Sequence, residues 1–322
     1  MSVATDLVTL ADVEEAAARI DGVVRRTPLL AASWGRDDAP LHLKAECLQV
    51  GGAFKARGAT NAISLLTDQE RARGVVTHSS GNHAQAVARA ARDLGVHATV
   101  VMPHQSPTVK RTATEALGAE VVLVDISERA AEVERIQART GAVFVPPFDD
   151  RRVIAGQGTV GLEVVADLPD VATVFVPVSG GGLISGIAVA VKAKRPQARV
   201  VGVEPELAAD LAEGFERGER VTWDTDRTGR TMADGLRVTA VGEHNWQHIT
   251  ALVDDVVTVS EDQIADAVRR IVLDAKLVAE PSGAVAVAGY LAHAEAAGPG
   301  PAVAVVSGGN IEPSSLARLI SG

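Results

Sequence analysis

Apolar runs alternate with amphipathic stretches along most of this chain. Over residues 7–22 the apolar positions recur every three or four residues, which predicts an amphipathic helix. Beyond Pro28, short continuous apolar runs alternate with stretches of helical periodicity. Strands that are apolar throughout and alternate with helices are typical of a parallel sheet covered on both faces. The pattern therefore predicts an α/β protein.

The predicted elements divide into two series. A strand is predicted over 41–45, ahead of both series. The strands of the first series cover residues 74–77, 98–102, 120–124 and 143–145 and belong to one compact unit over about 77–147, and those of the second cover 174–178, 200–203 and 302–306. Helices are predicted over 84–94, about 106–117, 184–194 and 261–277, and a further helix follows the strand 120–124 and ends at 139. The polar stretch 213–245 is expected to wind over the surface. We predict two α/β domains with a cleft between them: residues 1–73 with 149–322 as the large domain, and 74–148 as the small one.

Composition narrows the class of protein. Of 322 residues, 47% are hydrophobic and 22% charged, which is ordinary for a soluble globular protein. A formal charge of −10 without a Lys/Arg cluster argues against a nucleic-acid partner. The single cysteine, Cys47, rules out a disulfide within the chain and favours a reducing compartment. No apolar run is long enough for a membrane span and no signal-peptide pattern opens the sequence, so we expect a cytoplasmic protein without a membrane partner.

Lys55 is the first candidate for chemistry. It stands in the small, apolar segment Gly-Gly-Ala-Phe-Lys-Ala-Arg-Gly, between a predicted strand and an alanine-rich helix. Burial disfavours an ammonium group and makes the amine available as a nucleophile. The alternative, a surface lysine at a helix start, would fit this segment taken alone. Two glycine-rich loops downstream favour the catalytic interpretation.

The first glycine-rich loop is a candidate phosphate site. Its residues, Ser179, Gly180, Gly181, Gly182 and Leu183, lie between an apolar run and a predicted helix. Glycines let backbone N–H groups approach an anion, and a helix N-terminus adds partial positive charge. The loop lacks both the Lys-Ser/Thr of Walker A and the spacing of the dinucleotide-binding motif. A tight turn is the alternative, but it seldom needs three consecutive glycines.

A serine-rich loop is a candidate carboxylate site. Ser79, Ser80, Gly81, Asn82 and His83 offer hydroxyls, an amide and N–H groups at the start of a predicted helix. Helix capping by Ser80 or Asn82 is compatible with this role. A Ser/His/Asp hydrolase is disfavoured because the chain has no Gly-x-Ser-x-Gly elbow.

The second glycine-rich loop, Ser-Gly-Gly-Asn, begins at Ser307 after the last apolar run. A serine at the carboxyl end of a strand can point into the ligand crevice of an open α/β sheet. Alone, the motif also fits a solvent loop.

Taken together and in order, these motifs resemble those of the fold-type II pyridoxal-phosphate enzymes, and most closely the serine/threonine dehydratase and serine racemase branch. The Ile-Ala-Gly-Gln-Gly-Thr segment at 154–159 adds to the resemblance, which runs from about Arg26 to Asn310. It implies a tryptophan synthase β-like fold, in which two open, twisted-sheet α/β domains hold pyridoxal 5′-phosphate in the cleft between them. The large domain would bind the cofactor.

The resemblance also implies residue roles. Lys55 would be the Schiff-base lysine and the base that moves the α proton, Phe54 would flank the cofactor ring, and Asn82 would hydrogen-bond its 3′-oxygen. Ser179 to Leu183 would hold the phosphate through N–H groups, Ser79 to His83 would bind the substrate carboxylate, and Ser307 would face the pyridine nitrogen. Because a hydroxyl does not keep that nitrogen protonated, the ring is a weaker electron sink and β-elimination is favoured over transamination.

Ser80 bears on the type of reaction. Serine racemases and hydroxyaspartate dehydratases have this serine, placed across the cofactor from the lysine as a second acid/base. Biosynthetic threonine dehydratases usually have a small apolar residue there. Both catalytic and capping roles stay open for Ser80.

The segment from Glu204 to Asp210 resembles the divalent-cation loop of the same family. Glu204 and Asp210 would supply carboxylates and Ala208 a backbone carbonyl, a hard-oxygen set that suits Mg²⁺, Mn²⁺ or Ca²⁺. The alternative is an exposed charged loop.

The resemblance implies an ammonia-lyase (dehydratase) that converts L-serine or L-threonine to a 2-oxo acid and ammonia, acting as a homodimer on a small amino acid. Serine racemase and threo-3-hydroxy-L-aspartate ammonia-lyase are the alternatives. A cofactor-binding protein without turnover and a β-replacing synthase fit less well. Two residues depart from the family pattern: Ala53 replaces a common hydroxyl residue, and Ser179 replaces a glycine of the racemases. Since the chain ends at Gly322, we expect no C-terminal regulatory domain.

Overall fold

A computed structural model describes residues 7–106 and 108–321 of the chain. The first six residues, which belong to the segment considered for a signal peptide, lie outside the described residues, as do residue 107 in the predicted helix 106–117 and the last residue, Gly322. Within the described part, no helix is both long enough and apolar enough to cross a bilayer.

The strands of the described residues form two separate sheets. In chain order they are β1 (Leu29–Ala31), β2 (Leu41–Lys44), β3 (Val75–His78), β4 (Ala98–Pro103), β5 (Glu120–Val124), β6 (Val143–Phe144), β7 (Thr173–Pro177), β8 (Arg199–Pro205), β9 (Asp255–Val259) and β10 (Ala302–Val305). The larger sheet has the order β1-β2-β10-β7-β8-β9 and is parallel except for the β1–β2 pair, and the smaller has the parallel order β5-β4-β3-β6.

Helices cover both sheets. They are α1 (Leu10–Ile20), α2 (Lys55–Ser64), α3 (Asp68–Arg73), α4 (Asn82–Asp93), α5 (Thr108–Ala116), α6 (Arg129–Thr140), α7 (Arg151–Asp167), α8 (Gly182–Lys194), α9 (Asp210–Arg217), α10 (Thr225–Thr228), α11 (Glu243–Leu252), α12 (Glu261–Leu273), α13 (Pro281–Ala292), α14 (Ala294–Ala297) and α15 (Pro313–Ser321).

The larger sheet is buried on both faces because side chains alternate along each strand. Within β7, Val174 and Val176 pack in one apolar cluster with α8 residues such as Ile184. Phe175 points to the opposite face and packs in a second cluster with Tyr290 of α13. Strands that are apolar at every position are explained by this double coverage, as the sequence pattern predicted.

Parallel strands place the loops that follow them at one edge of a sheet. In the larger sheet β7 leads to Ser179 and β10 leads to Ser307, and in the smaller sheet β3 leads to Ser79. Each candidate loop therefore begins at the carboxyl end of a strand, which is the position expected for a ligand site in an open α/β sheet.

Two predictions from the sequence are wrong. The helix predicted over 261–277 ends at Leu273, because Lys276 adopts a left-handed conformation (φ 59°) that turns Leu277 into the core. The stretch 213–245 does not lie on the surface throughout. Its residues Trp223, Thr231 and Asn245 are buried. Their side chains can be buried because each donates a hydrogen bond to another part of the protein, to Glu213, Glu261 and the carbonyl oxygen of Gly180, respectively.

Candidate active site

Lys55 is the first residue of α2, and the backbone before it is fixed to the end of β10. The N–H of Phe54 donates to the carbonyl oxygen of Ser307 at 3.0 Å. The side chain of Lys55 then reaches Pro147, whose carbonyl oxygen accepts a 2.6 Å hydrogen bond from Nζ. The ring centroid of Phe54 lies 5.0 Å from the same nitrogen. The structure thus brings together three residues that the sequence placed around one cofactor.

The environment of Lys55 favours the neutral amine. Burial lowers the pKa of Lys55 from 10.5 to about 8. No carboxylate forms an ion pair with it among the described residues, and its hydrogen-bond acceptor is a neutral carbonyl. The unprotonated fraction of this amine near neutral pH is therefore far larger than that of an ordinary lysine, which favours its action as a nucleophile.

A buried ionic cluster anchors the helix that carries Lys55. The guanidinium of Arg57, which is fully buried, contacts Glu46 and Glu163 at 2.7 Å each. Lys44 of β2 lies 2.6 Å from the same Glu163. Because each charge has an opposite partner, the cluster avoids the cost of an isolated buried ion. It joins β2, α2 and α7 directly behind Lys55.

The loop from Ser79 to His83 leaves the N-terminus of α4 open. Gly81 is the N-cap residue, and no side chain caps the helix. The hydroxyl of Ser79 accepts a hydrogen bond from the N–H of Gly81 at 3.2 Å, whereas Ser80 has no hydrogen bond among the described residues. Capping by Ser80 or Asn82, which the sequence left open, does not occur. The first N–H groups of α4 are free to bind an anion.

His83 contributes its backbone to this loop, and its side chain is used elsewhere. The imidazole Nε2 lies 3.0 Å from the carbonyl oxygen of Val145, and the ring is buried. Burial, and then the positive charge of Lys55, lowers the pKa of His83 to about 3. The ring is therefore neutral and donates an N–H to Val145, two residues before the Pro147 that accepts from Lys55.

The glycine loop after β7 is shaped by Phe148. A Cβ placed on Gly180 would lie 2.3 Å from the Phe148 ring, and one on Gly182 would lie 3.0 Å from the Phe148 carbonyl oxygen. Gly181 has φ +91° and is the N-cap residue of α8, which has no side-chain cap. Ser179 Oγ is buried without a hydrogen-bond partner among the described residues. The uncapped helix start, including the N–H of Leu183, and this free hydroxyl suit an anion.

Residues far away in sequence hold the glycine loop in place. The carbonyl oxygen of Gly180 accepts hydrogen bonds from the Asn245 side chain at 2.6 Å and from the Gly242 N–H at 3.1 Å. Asp149 caps the N-terminus of α11 by accepting from the N–H groups of residues 243–245. The sequence pattern singled out neither Asp149 nor Asn245 as a support of this loop. An aspartate before a distant helix start gives no local signal of this contact.

Ser307 is buried at the end of β10. Its Oγ lies 3.5 Å from the carbonyl oxygen of Ser282, which is at the limit for a hydrogen bond. The hydroxyl is therefore available to another partner. The next residue, Gly308, lies against Asn82, since a Cβ on Gly308 would be 3.2 Å from Asn82 Nδ2.

Asn82 joins a hydrogen-bonded chain that the sequence did not reveal. Its Nδ2 donates to Glu280 Oε1 at 2.6 Å, and its Oδ1 accepts from Asn310 Nδ2 at 2.8 Å. Glu280 is 6% exposed, and burial, followed by the negative charge of Asp234, raises its pKa to about 7. The available signal was the Glu-Pro-Ser-Gly sequence, in which a proline at the first helical position makes Glu280 an N-cap residue.

The two predicted cation ligands are neighbours in the interior. Glu204 accepts hydrogen bonds from the N–H groups of Leu211 and Ala212, and Asp210 accepts from that of Val241 at 3.0 Å. Burial and the adjacent Asp210 raise the pKa of Glu204 well above its usual range, while burial raises that of Asp210 to about 7. The alternative of an exposed loop is wrong, because Glu204, Ala208 and Asp210 are all buried. Within the described residues, no group of three or more His, Cys, Asp or Glu side chains is placed to hold a metal ion.

The geometry defines one site at the facing edges of the two sheets. It holds an amine of lowered pKa, two helix N-termini without side-chain caps, and buried hydroxyls with unused hydrogen-bonding capacity. Such an arrangement can bind an anionic ligand that carries a carbonyl group and can present a neutral amine to that group.

Comparison with known proteins agrees with this geometry. Residues 20–308 match a family model described as "Pyridoxal-phosphate dependent enzyme". The chain is 46% identical over 321 residues to the L-threonine ammonia-lyase of Thermotoga maritima, covering 98% of this chain and 79% of that protein. It is 42% identical over 285 residues to the serine racemase of Oryza sativa subsp. indica, covering 87% and 82%. The structure of maize serine racemase superposes with a TM-score of 0.92 at 38% identity, covering 98% of this chain and 97% of that one. This likeness confirms the predicted fold class.

Proposed function

The chain belongs to the pyridoxal-phosphate dependent enzyme family, and from that premise we propose that it is an ammonia-lyase that converts L-serine or L-threonine to a 2-oxo acid and ammonia. The observation that carries the proposal is the amine of Lys55, which burial brings to a pKa of about 8 and which is held at the meeting edge of the two sheets. The likeness to an L-threonine ammonia-lyase over nearly the whole chain supports the reaction class.

The residues present fit the cofactor. The glycine loop offers the uncapped N–H groups of α8 and the buried Ser179 hydroxyl, which has no partner among the described residues. A phosphate group would accept hydrogen bonds from both. Phe54 and Ser307 lie beside Lys55 for contact with a ring and its nitrogen. When bound, pyridoxal phosphate supplies an aldehyde that captures amines and a ring that withdraws electrons from the α-carbon.

The protein's own residues would then divide the remaining tasks. The N–H groups at the start of α4, with Ser79 and Ser80, would bind the substrate carboxylate and so orient the α-hydrogen toward Lys55. The neutral amine of Lys55 would accept that proton. A hydroxyl at Ser307, in place of a carboxylate, would leave the ring nitrogen unprotonated, which favours loss of a β-hydroxyl over transamination.

The test combines a visible spectrum with product analysis. The purified protein, supplied with pyridoxal phosphate, should show a visible absorption band that Lys55→Ala loses while its circular dichroism is unchanged. L-Serine, L-threonine and 3-hydroxy-L-aspartate are then compared for 2-oxo acid release and for the chirality of the remaining amino acid. A protein with no visible band after addition of the cofactor would contradict the proposal.

Serine racemisation is the second candidate, and Ser80 is the observation that favours it. Its hydroxyl does not cap α4 and has no hydrogen bond among the described residues, so it is free to act on a ligand. A likeness to serine racemases supports the same alternative. Accumulation of D-serine faster than pyruvate would identify a racemase.

A 3-hydroxyaspartate lyase is supported by Arg129 at the start of α6. Its Nε donates to the carbonyl oxygen of Ile126 at 3.0 Å, and it forms no ion pair with a carboxylate of the described residues. Burial lowers the pKa of Arg129, and its charge contributes to the lowered pKa of His78, next to Ser79. A cation in this place could receive a second substrate carboxylate. Faster turnover of 3-hydroxy-L-aspartate than of L-serine, abolished in Arg129→Met, would establish this alternative.

We further propose that Glu204, Asp210 and the carbonyl of Ala208 hold a divalent cation, Mg²⁺, Mn²⁺ or Ca²⁺. Two neighbouring buried carboxylates repel each other, and a hard cation would relieve that repulsion. Val241, whose N–H binds Asp210, precedes Gly242, whose N–H binds Gly180. The cation would therefore stabilise a segment that also supports the phosphate loop.

The domain division, the assembly state and the compartment are also proposals. The smaller sheet comprises strands between residues 75 and 144, which supports a small domain of residues 74–148 inserted in a large domain of 1–73 and 149–322. We expect a cytoplasmic homodimer, by likeness to the family. Light scattering coupled to size-exclusion chromatography would measure the assembly state.

A further inference from the structure

Three side chains from two parts of the fold form one hydrogen-bonded chain at the site. Asn82 begins α4 beside the smaller sheet, whereas Glu280 and Asn310 belong to the segments around α13 and β10 of the larger sheet. Asn82 Nδ2 donates to Glu280 Oε1 at 2.6 Å. Asn310 Nδ2 donates to Asn82 Oδ1 and to the carbonyl oxygen of Gly51, each at 2.8 Å.

The chemistry at the two ends of this chain fixes the orientation of both amides. The carbonyl of Gly51 can only accept, so the nitrogen of the Asn310 amide must face it. The same nitrogen then donates to the oxygen of Asn82. At the other end, an ionised Glu280 can only accept, so the nitrogen of Asn82 must face it.

The Asn82 side chain keeps one N–H group that is not used in this hydrogen-bonded chain. An amide nitrogen carries two N–H groups. Glu280 takes one of those of Asn82, and the Asn82 oxygen is already bound to Asn310. One N–H of Asn82 therefore has no acceptor among the described residues, and the neighbouring bonds prevent the amide from turning its oxygen to that side.

A backbone hydrogen bond and close packing against Gly308 also hold Glu280 in place. Its backbone N–H donates to the carbonyl oxygen of Gly308 at 3.1 Å. A Cβ on Gly308 would lie 2.2 Å from Glu280 Oε1 and 3.2 Å from Asn82 Nδ2, so only glycine allows this approach. Gly308 follows Ser307 directly, which places the hydrogen-bonded chain beside the residue that would face the cofactor ring.

We propose that Glu280 and Asn310 are positioning residues that fix the Asn82 amide as a hydrogen-bond donor toward the ring oxygen of the cofactor. The inference rests on the proposed function, in which Asn82 contacts that oxygen. A donor there stabilises the ionised ring oxygen, and the ionised form absorbs at longer wavelength than the neutral form. Glu280 and Asn310 therefore set the electronic state of the cofactor without touching it.

The charge of Glu280 makes this effect dependent on pH. Burial first, and then the negative charge of Asp234, raise its pKa to about 7, while the bond from Asn82 and the positive charge of Lys110 act in the opposite direction. Lys110 and Asp234 form an ion pair of 3.0 Å nearby. Since hydrogen bonds to an ionised acceptor are the stronger ones, the amide is fixed most firmly when Glu280 is ionised, above pH 7.

The test measures the spectrum and the cofactor affinity of the full-length protein, independently of turnover. Glu280→Met removes the acceptor at similar volume, Asn310→Ala removes the donor, and Glu280→Gln keeps a neutral oxygen that can still accept. Glu312→Met, at an exposed glutamate close to Asn310 in sequence, is the matched control. We expect Glu280→Met and Asn310→Ala to bind pyridoxal phosphate about tenfold more weakly and to lose long-wavelength absorbance, because the half-buried Asn82 amide loses a partner and its fixed orientation. Glu312→Met should keep both, whereas Glu280→Gln should keep the affinity but show the smaller long-wavelength fraction that the wild type has below pH 7.

A pH titration separates positioning from simple folding effects. In the wild-type holoenzyme the long-wavelength fraction should rise with pH through about 7, and in Glu280→Gln, which has the same shape and cannot ionise, this step should be absent. If Glu280→Gln titrates as the wild type does, or Glu280→Met leaves spectrum and affinity unchanged, the inference is wrong although the proposed function stands. A wild-type protein that neither binds the cofactor nor shows a band would overturn both.

Discussion

Lys55 Nζ donates a 2.6 Å hydrogen bond to the carbonyl oxygen of Pro147. This bond links the first residue of α2 to the segment that follows the last strand of the smaller sheet. Phe148, the next residue, packs on the glycine loop, and Val145, two residues before, binds His83. The segment 145–148 thus contacts the amine, the candidate phosphate loop and the candidate carboxylate loop. A substitution in this segment is therefore expected to affect cofactor binding.

The capture of the cofactor by Lys55 should depend on pH in a specific way. Because burial lowers the pKa of Lys55 from 10.5 to about 8, the rate at which the apoenzyme captures pyridoxal phosphate should rise about tenfold per pH unit below 8 and level off above it. Stopped-flow absorbance would measure this rate. Under the same conditions free Nα-acetyl-lysine should continue to gain rate well beyond pH 8, and an enzyme that followed the free amine would contradict the assigned burial.

Ser80→Ala should separate racemisation from elimination. The hydroxyl does not cap α4, so we expect the folded state to keep its stability within about 0.5 kcal/mol. If Ser80 acts as a second acid/base, formation of D-serine should fall by about 10²-fold or more, while 2-oxo acid release falls much less. Chiral chromatography and a 2-oxo acid assay measure the two rates. Equal losses in both would assign Ser80 to carboxylate binding.

Gly181→Ala should weaken cofactor binding, and Gly218→Ala should not. Both glycines have positive φ, which costs an alanine about 1–2 kcal/mol. A Cβ on Gly181 would also lie 2.9 Å from Asn245 Cβ, whereas nothing lies within 4 Å of one on Gly218. The Gly181 variant alone should therefore displace the glycine loop and raise the Kd for pyridoxal phosphate by about tenfold, as equilibrium dialysis would detect. Equal affinities in the two variants would argue against a phosphate site here.

Arg57→Met should destabilise the protein strongly. It would leave Glu46 without its guanidinium partner in the interior and remove one of the two cations bound to Glu163, a loss of about 3–5 kcal/mol in the free energy of unfolding. Arg92→Met, which breaks the exposed pair with Asp93, should cost about 0–1 kcal/mol. Urea denaturation measures both. A small effect at Arg57 would mean that Lys44 and water compensate for the lost charge.

Divalent cations should raise the melting temperature. Millimolar Mg²⁺, Mn²⁺ or Ca²⁺ is expected to stabilise the wild-type protein by binding the folded state alone, by about 2–3 kcal/mol once the cation reaches 100 times its Kd. The double variant Glu204→Gln/Asp210→Asn should not respond. Differential scanning fluorimetry after treatment with a chelator would show the difference. A variant that responds as the wild type does would place the cation elsewhere.

Several candidate site residues could be proposed from sequence because their signal is local. Lys55 is set among small residues before a helix, and the glycine loops follow apolar strands, so residue type and order point to the chemistry. Partners from distant segments could not be found in this way. Glu280 reaches Asn82 across 198 positions and Arg57 reaches Glu163 across 106, and a single sequence gives no measure of such proximity.

By itself, the amino-acid sequence determined the α/β class, the two series of strands and the candidate loops for the chemistry, because apolar periodicity and glycine placement are properties of neighbouring residues. Only the tertiary structure decided the state of those groups. It buries the amine of Lys55, which lowers the pKa of that amine. It hydrogen-bonds the His83 ring to the carbonyl oxygen of Val145, and it hydrogen-bonds the Asn82 amide to Glu280 and Asn310. Desolvation and hydrogen bonding depend on which segments meet in space, and that is settled by packing of the whole chain.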